Sequence, residues 1–154
     1  MKIIDALRQQ QNLKTDSSVK DGIDITVCEF SPDKKSVRFA AAFSPLWIIR
    51  DNELTVFPAD KFPAGIHHSE FKPFTLNETL LQSGNMIYLL SDGYADQFGG
   101  DAGKKFKSKQ LQELLRNCSH ESCESQKQIL EHTLQTWKGN LDQVDDILII
   151  GIRI

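Results

Sequence analysis

The sequence predicts an α+β domain built in layers. Three observations carry that expectation. Residues 21–90 read as short strands of period two, separated by turn residues. Residues 108–138 switch to the helical period, and the chain closes on an apolar run from Val144 to Ile154 that reads as one more strand.

Taken in order, residues 1–11 form a predicted helix with Ile4 and Leu7, joined by Ile3, on one side and no capping residue before it. Residues 12–20 are polar, and 14–20 read as a loop. From Asp21, Ile23, Ile25 and Val27 alternate against Asp24, Thr26, Cys28 and Phe30, a β-branched strand. Ser31-Pro-Asp-Lys-Lys35 turns the chain into a returning strand over 36–43. A second hairpin pairs Leu46-Trp-Ile-Ile-Arg50 with Glu53-Leu-Thr-Val-Phe57 across Asp51-Asn52. Pro58, Pro63 and Gly65 make 58–69 a loop. A strand follows over 70–76, which Pro73 restricts to an edge or a bulge.

Ser83-Gly84-Asn85 leads into an apolar strand over 86–90 that stops at Ser91-Asp92-Gly93. Residues 94–98 form a short helical or irregular piece, and 99–105 a loop rich in glycine and lysine. Ser108 caps a helix with Leu111, Leu114, Leu115 and Cys118 at helical spacing. A second helix, 122–138, carries Leu130, Leu134 and Trp137 on one side and ends at Gly139-Asn140. The closing strand is apolar nearly throughout, which predicts a central place in a sheet. Trp47 and Trp137 are expected core aromatics.

Bulk properties narrow the class. A length of 154 residues favours a single domain, 1–154, with one proper core, and residues 1–20 form a remnant helix and loop at its start. A net charge of −3 provides no basic field for nucleic acid. No apolar run approaches the roughly 20 residues of a membrane span, and the first residues lack the apolar core of a signal peptide. Three cysteines, an odd number, fit free thiols in a cytoplasmic protein.

The chemistry-bearing residues are acidic. Asp92-Gly93 ends one apolar strand and Asp145-Asp146 abuts another. Carboxylates fixed at strand ends suit Mg²⁺ or Mn²⁺ in phosphoryl chemistry, because these ions keep water ligands and take phosphate oxygens. Asp92 and Asp145 are expected to meet at one site; the bland alternative is solvated turn carboxylates. Gly99-Gly-Asp-Ala-Gly-Lys-Lys105 fails as a phosphate loop. Its glycines are one residue too close, and Lys105 stands where Ser or Thr is needed. It reads either as a solvated loop or as a basic flap in which Lys104, Lys105, Lys107 and Lys109 attract a phosphopeptide. Cys118, His120, Cys123 and His132 lack zinc spacing, and Cys118 is a core position. His67 and His68 follow Pro63-Ala-Gly-Ile66 in the predicted loop and are expected to be exposed rather than catalytic.

Tyr88-Leu-Leu-Ser-Asp-Gly-Tyr-Ala-Asp96, followed downstream by Val144-Asp-Asp-Ile-Leu-Ile, resembles the bacterial serine phosphatases of the stage II sporulation protein E type. These belong to the metal-dependent protein phosphatase 2C superfamily. Asp21-Gly-Ile-Asp-Ile-Thr-Val-Cys28, Pro45-Leu-Trp-Ile-Ile-Arg50, Pro63-Ala-Gly-Ile66 and Gln97-Phe-Gly-Gly100 fit the same pattern in the same order. The resemblance implies a β-sandwich of two antiparallel sheets flanked by helices, with a dinuclear Mn²⁺ or Mg²⁺ centre at one end. By position, Asp92 and Asp145 match metal ligands and Gly93 the glycine beside the metal-binding acid. Asp21 and Asp24 match a family motif near the site, and the resemblance assigns them no particular ligand position. Asp146, Lys104 and Lys105 are expected close to the metal or the substrate.

The implied activity is hydrolysis of phosphoserine or phosphothreonine in proteins by metal-activated water. The implied partners are a phosphorylated regulator of the anti-sigma-factor-antagonist kind and N-terminal sensor or signalling modules. Two departures stand out. The family's Gly-Asp-x-x-Gly-His-Gly motif, whose Asp bridges the metals, is absent; the chain's Gly100-Asp101 lies after the Ser-Asp-Gly element and lacks the rest. Ala41-Ala-Phe-Ser-Pro45 replaces a turn with glycine and asparagine, so substrate contacts there differ. These 154 residues are therefore expected to be the C-terminal part of a longer phosphatase domain, inactive alone. The alternative is a non-catalytic interaction or dimerisation module, and exposed sheet edges would favour a homodimer.

Overall fold

A computed structural model of the chain describes residues 22–65 and 72–154. The predicted helix over 1–11, Asp21, His67, His68 and the first residues of the predicted strand over 70–76 lie outside the described residues.

Two antiparallel sheets face each other. One contains β2 (Ile25–Phe30), β3 (Ser36–Ala42) and β7 (Asn77–Leu80), in the order β2-β3-β7. The other contains β4 (Leu46–Arg50), β5 (Glu53–Phe57), β8 (Met86–Leu90) and β11 (Ile149–Arg153), in the order β11-β8-β4-β5. Short two-stranded pairs join β1 (Gly22–Ile23) to β6 (Ala64–Gly65), and β9 (Phe98–Gly99) to β10 (Lys104–Lys105). The helices are α1 (Gly93–Asp96), α2 (Ser108–Cys118) and α3 (Cys123–Lys138).

Period two along β4 and β8 creates the layers, because alternate side chains leave opposite faces of a strand. Trp47, Ile49, Met86 and Tyr88 point one way and pack with Tyr94, Phe106, Leu111 and Leu115 from the helical side. Leu46, Ile48 and Ile87 point the other way and pack with Val37, Phe39 and Leu81 between the sheets. The four-stranded sheet thus lies between the helices and the three-stranded sheet. This is the expected sandwich.

Local signals account for most boundaries. Asp51 and Asn52 both take positive φ (49° and 62°), as the tight turn between paired strands requires. Ser122 caps α3 by accepting the Ser125 N–H at 3.1 Å, and Gly139 ends it with φ 55°. Phe106 stacks edge-on between Tyr94 and Trp137, with ring centroids 5.1 and 5.3 Å away.

Four expectations are corrected, and the inward face of β2, which the alternation left open, is defined. Ser108 is the first helical residue of α2, and Lys107, with φ 75° and no side-chain cap, precedes it. On β2 the face turned inward is Thr26, Cys28 and Phe30, while Ile25 and Val27 are exposed. The register with β3 sets this, since Cys28 and Phe30 oppose the buried Phe39 and Val37. No strand forms over 72–76; Thr75 instead binds the Asp60 carboxylate through its N–H (2.7 Å) and hydroxyl (3.0 Å), and pairing begins at Asn77. The loop over 99–105 contains the β9–β10 pair. The closing strand starts only at Ile149 and, among the described residues, lies at the edge of its sheet rather than the centre. Its apolar character follows from having a layer on each face.

Candidate functional site

Strand β8 delivers Ser91-Asp92-Gly93 to one end of the sandwich, and the chain entering β11 comes alongside. The Ser91 hydroxyl joins them: it donates to the Asp146 carbonyl at 2.8 Å and accepts the Leu148 N–H at 2.9 Å. The Ser91 N–H in turn donates to the Leu148 carbonyl at 2.9 Å. Gly93 allows the closest approach. A Cβ there would stand 2.4 Å from the Asp146 carbonyl oxygen and 2.9 Å from its carbon, so any side chain would force the two segments apart. The backbones that carry Asp92 and Asp145-Asp146 therefore lie in direct contact.

Asp92 occupies the N-cap of α1 without using its carboxylate there, and it is exposed. Asp145 and Asp146 are also exposed. One Asp145 oxygen accepts the Asp146 N–H at 2.7 Å, and Gln143 Nε2 donates to the Asp145 carbonyl at 2.7 Å.

Two buried polar groups hold this end rigid. Gln97 is fully buried; its Nε2 donates to the Asp142 carbonyl at 2.9 Å, and its own carbonyl accepts the Phe106 N–H and the Trp137 indole N–H at 2.9 and 3.0 Å. The Tyr94 hydroxyl donates to the Leu130 carbonyl at 2.9 Å, fastening α1 to α3. Burial pushes the Tyr94 phenol well above its usual range. On the other side, Thr26 Oγ1 donates to the Ser44 carbonyl, and Ser44 Oγ donates to the Leu90 carbonyl at 2.7 Å, so the Ala41–Pro45 turn ties β2 to the end of β8.

The remaining site candidates are placed as follows. Asp24 is exposed between β1 and β2, where Gly22 and Ile23 pair with Gly65 and Ala64. A Cβ on Gly22 would come within 2.3 Å of Pro63, so the strands that follow Asp21 and Pro63 are packed together. Lys105 is committed to Asp96 at 2.7 Å and lies over the Phe98 ring, whereas Lys104 is exposed. Cys118 is buried, and His120 faces Glu121 at 3.2 Å. Among the described residues, no three His, Cys, Asp or Glu side chains come together closely enough to hold a metal ion. Exposed carboxylates beside backbone carbonyls suit a hard divalent cation in their chemistry, and in number they fall short of a closed site.

Sequence reasoning named the acids and the glycine and missed the groups that position them. The Ser91 hydroxyl lay inside the quoted motif without a role. Ser44 and Gln97 likewise lay inside named motifs without a role, since each acts by bonding a backbone carbonyl far along the chain.

Comparison with known proteins agrees with this architecture. The SiaA-PP2C domain of Pseudomonas aeruginosa superposes with a TM-score of 0.71 at 27% identity, over 78% of this chain and 47% of that one. The phosphatase domain of the cell fate determinant SpoIIE from Bacillus subtilis, soaked with manganese, gives 0.61 at 16% identity over 98% and 64%. The catalytic domain of the serine/threonine phosphatase PstP, in complex with two manganese ions, gives 0.62 at 17% identity over 95% and 64%. The chain thus spans from about half to just under two thirds of the length of these structures. No curated protein sequence matches it. The family model for stage II sporulation protein E matches residues 2–154, and the chain belongs to that family of phosphatase 2C-like domains.

Proposed function

We propose that this chain is part of a metal-dependent phosphoserine/phosphothreonine protein phosphatase domain of a bacterial signalling protein. The observation that carries the reading is the junction of Ser91 and Gly93 with Asp146, which puts the Ser-Asp-Gly and Asp-Asp-Ile segments side by side. In this reading Asp92 and Asp145 hold Mn²⁺ or Mg²⁺, with Gly93 contributing its carbonyl or a bound water. Asp146, Asp24, Asp21, Lys104 and Lys105 stand near the metal or the substrate. The bound ions would supply an activated water and neutralise phosphoryl charge. The chain's own part is to keep two carboxylates rigid and exposed beside each other.

The absent Gly-Asp-x-x-Gly-His-Gly motif supports a further element: these 154 residues alone are inactive, and the third corner of the site comes from elsewhere. The partners in this reading are a phosphorylated regulatory protein, of the anti-sigma-factor-antagonist kind, and N-terminal sensor modules of a cytoplasmic or membrane-anchored parent. No helix of the described residues is long and apolar enough to cross a membrane. The same absence favours a second reading, a non-catalytic interaction module derived from the phosphatase fold.

Two measurements test the proposal. The chain should bind Mn²⁺ weakly, read as loss of the free-ion electron paramagnetic resonance signal, and Asp92→Asn or Asp145→Asn should abolish that binding. Binding indifferent to both substitutions refutes the ligand assignment, and a complete lack of binding favours the second reading. Mn²⁺-dependent hydrolysis of p-nitrophenyl phosphate should be negligible. Robust turnover that Asp92→Asn abolishes overturns the inactivity and keeps the metal assignment.

A further inference from the structure

The ladder between β4 and β8 ends early, and a side chain completes it. Trp47 pairs with Tyr88, Ile48 with Ile87 and Ile49 with Met86. Continued to the end of β8, this register puts Pro45 opposite Leu90. On the other edge of β8, Ser91 and Asn85 bond Leu148 and Ile154, so odd-numbered residues there face β11. In an antiparallel ladder the N–H and C=O of one residue share a side, and the side alternates along the strand. Those of Leu90 therefore face β4, where its carbonyl would accept the N–H of residue 45. Proline has none.

The Ser44 hydroxyl supplies the missing donor, 2.7 Å from the Leu90 carbonyl oxygen. The turn around it is held at every residue. The Ser44 N–H donates to the Ala42 carbonyl at 2.6 Å, and the Ser44 carbonyl accepts Thr26 Oγ1. The Phe43 N–H donates to the Asp60 carbonyl at 3.0 Å, and the Asp60 N–H to the Ala41 carbonyl at 2.9 Å. Phe43 takes φ 56°, a value uncommon for an aromatic residue, and such strain persists only where the surroundings over-determine it.

The Ser44 bond falls on the peptide that leads into the candidate site. The Leu90–Ser91 peptide is gripped on both edges: its carbonyl by Ser44, and its N–H by the Leu148 carbonyl at 2.9 Å. A peptide unit is planar, so holding both edges fixes its rotation and the direction in which Ser91 and Asp92 leave β8. We propose that Ser44 is a positioning residue of the candidate metal site, acting through this peptide to aim the Asp92 carboxylate. The consequence for metal binding rests on the phosphatase reading, whereas the grip on the peptide does not.

Two readouts test this on the same samples: Mn²⁺ affinity from the free-ion electron paramagnetic resonance signal, and hydrogen exchange at the Ser91 amide. Ser44 is half-buried in a turn, so Ser44→Ala should keep the wild-type circular dichroism. It should weaken Mn²⁺ binding by about tenfold, the low end for groups one step removed from a ligand, and speed exchange at Ser91. Ser44→Thr keeps the hydroxyl and should preserve both. Adding Pro45→Ala to Ser44→Ala restores a backbone donor opposite Leu90 and should recover most of the loss. Ser122→Ala removes the α3 cap and should lower the melting temperature while leaving both readouts at wild-type values.

A serine with a merely structural role would behave like Ser122. Ser44→Ala that melts lower yet binds Mn²⁺ as the wild type does overturns the proposal, as does a failure of Pro45→Ala to rescue. A wild-type chain that binds no Mn²⁺ sinks the phosphatase reading instead. The Ser91 amide then decides: faster exchange in Ser44→Ala upholds the positioning, and unaltered exchange overturns it.

Discussion

Replacing Gly93 with alanine sets two opposing effects against each other at the heart of the candidate site. Alanine favours a helix over glycine by about 1 kcal/mol, and Gly93 opens α1. Against this, the new methyl would sit 2.4 Å from the Asp146 carbonyl oxygen, so that backbone must retreat by about 1 Å to reach an ordinary contact of 3.4 Å. A carbonyl already bonded to Ser91 cannot make that move without straining the bond. Overpacking of this kind costs about 1–3 kcal/mol. With the backbone held by Ser91 the clash outweighs the propensity gain, leaving a net loss of up to about 2 kcal/mol. In a chain of this length that lowers the melting temperature by up to about 6 °C. Thermal unfolding followed by circular dichroism reads it, with Gly151→Ala as the control, where the added Cβ has room. Gly93→Ala melting at or above the wild type would refute the reasoning, since helix propensity alone would then govern the position.

Ser91→Ala removes the hydroxyl that serves both Asp146 and Leu148, and should cost about 1–2 kcal/mol in urea denaturation with an unchanged slope; an unaltered midpoint would mean that water replaces it. The chain has only two tyrosines, Tyr88 and Tyr94; burial raises both phenols above the ordinary value near 10, the larger cause in each case. The sign follows from which state holds the proton longer. Stability from these groups is fully present below the unfolded value near 10 and is lost as pH rises from there toward the raised folded values. Tyrosinate absorbance should therefore appear only together with alkaline unfolding; a reversible titration near pH 10 in the folded protein would count against both burials.

Legibility in the sequence followed the range of the interaction. The β4–β5 hairpin was readable to the residue because Asp51-Asn52 is a local signal that acts through backbone dihedrals. The helices over 108–138 were clear from period and from Ser122 and Gly139 at the ends of the second, whereas Ser108 is the first helical residue rather than a cap. Alternation on β2 was visible, yet which face turns inward depended on Phe39 and Val37 across the ladder, and period two alone is symmetric between faces. Apolar content led β11 to be placed centrally, although burial on two faces and pairing on two edges are independent conditions. In the candidate site, Asp92, Gly93 and Asp145 stood out as residue types at strand ends. The hydroxyl of Ser91, the amide of Gln97 and the serine at position 44 did not, because their partners are backbone carbonyls and backbone atoms leave no imprint in side-chain sequence.

The two apolar cores share β4 and β8, and this has an evolutionary side. Side chains of β8 alternate between both cores, so a substitution that loosens this strand weakens the whole sandwich at once. Ser91-Asp92-Gly93 is the direct continuation of that strand, whereas Asp145 is an exposed side chain on a loop anchored by its neighbours Ile147, Asp146 and Leu148. The two halves of the site therefore differ in how far stability constrains them. A lineage drifting away from its ancestral chemistry can lose the Asp145 carboxylate and keep a stable domain, while the approach to Asp92 persists for as long as the domain folds.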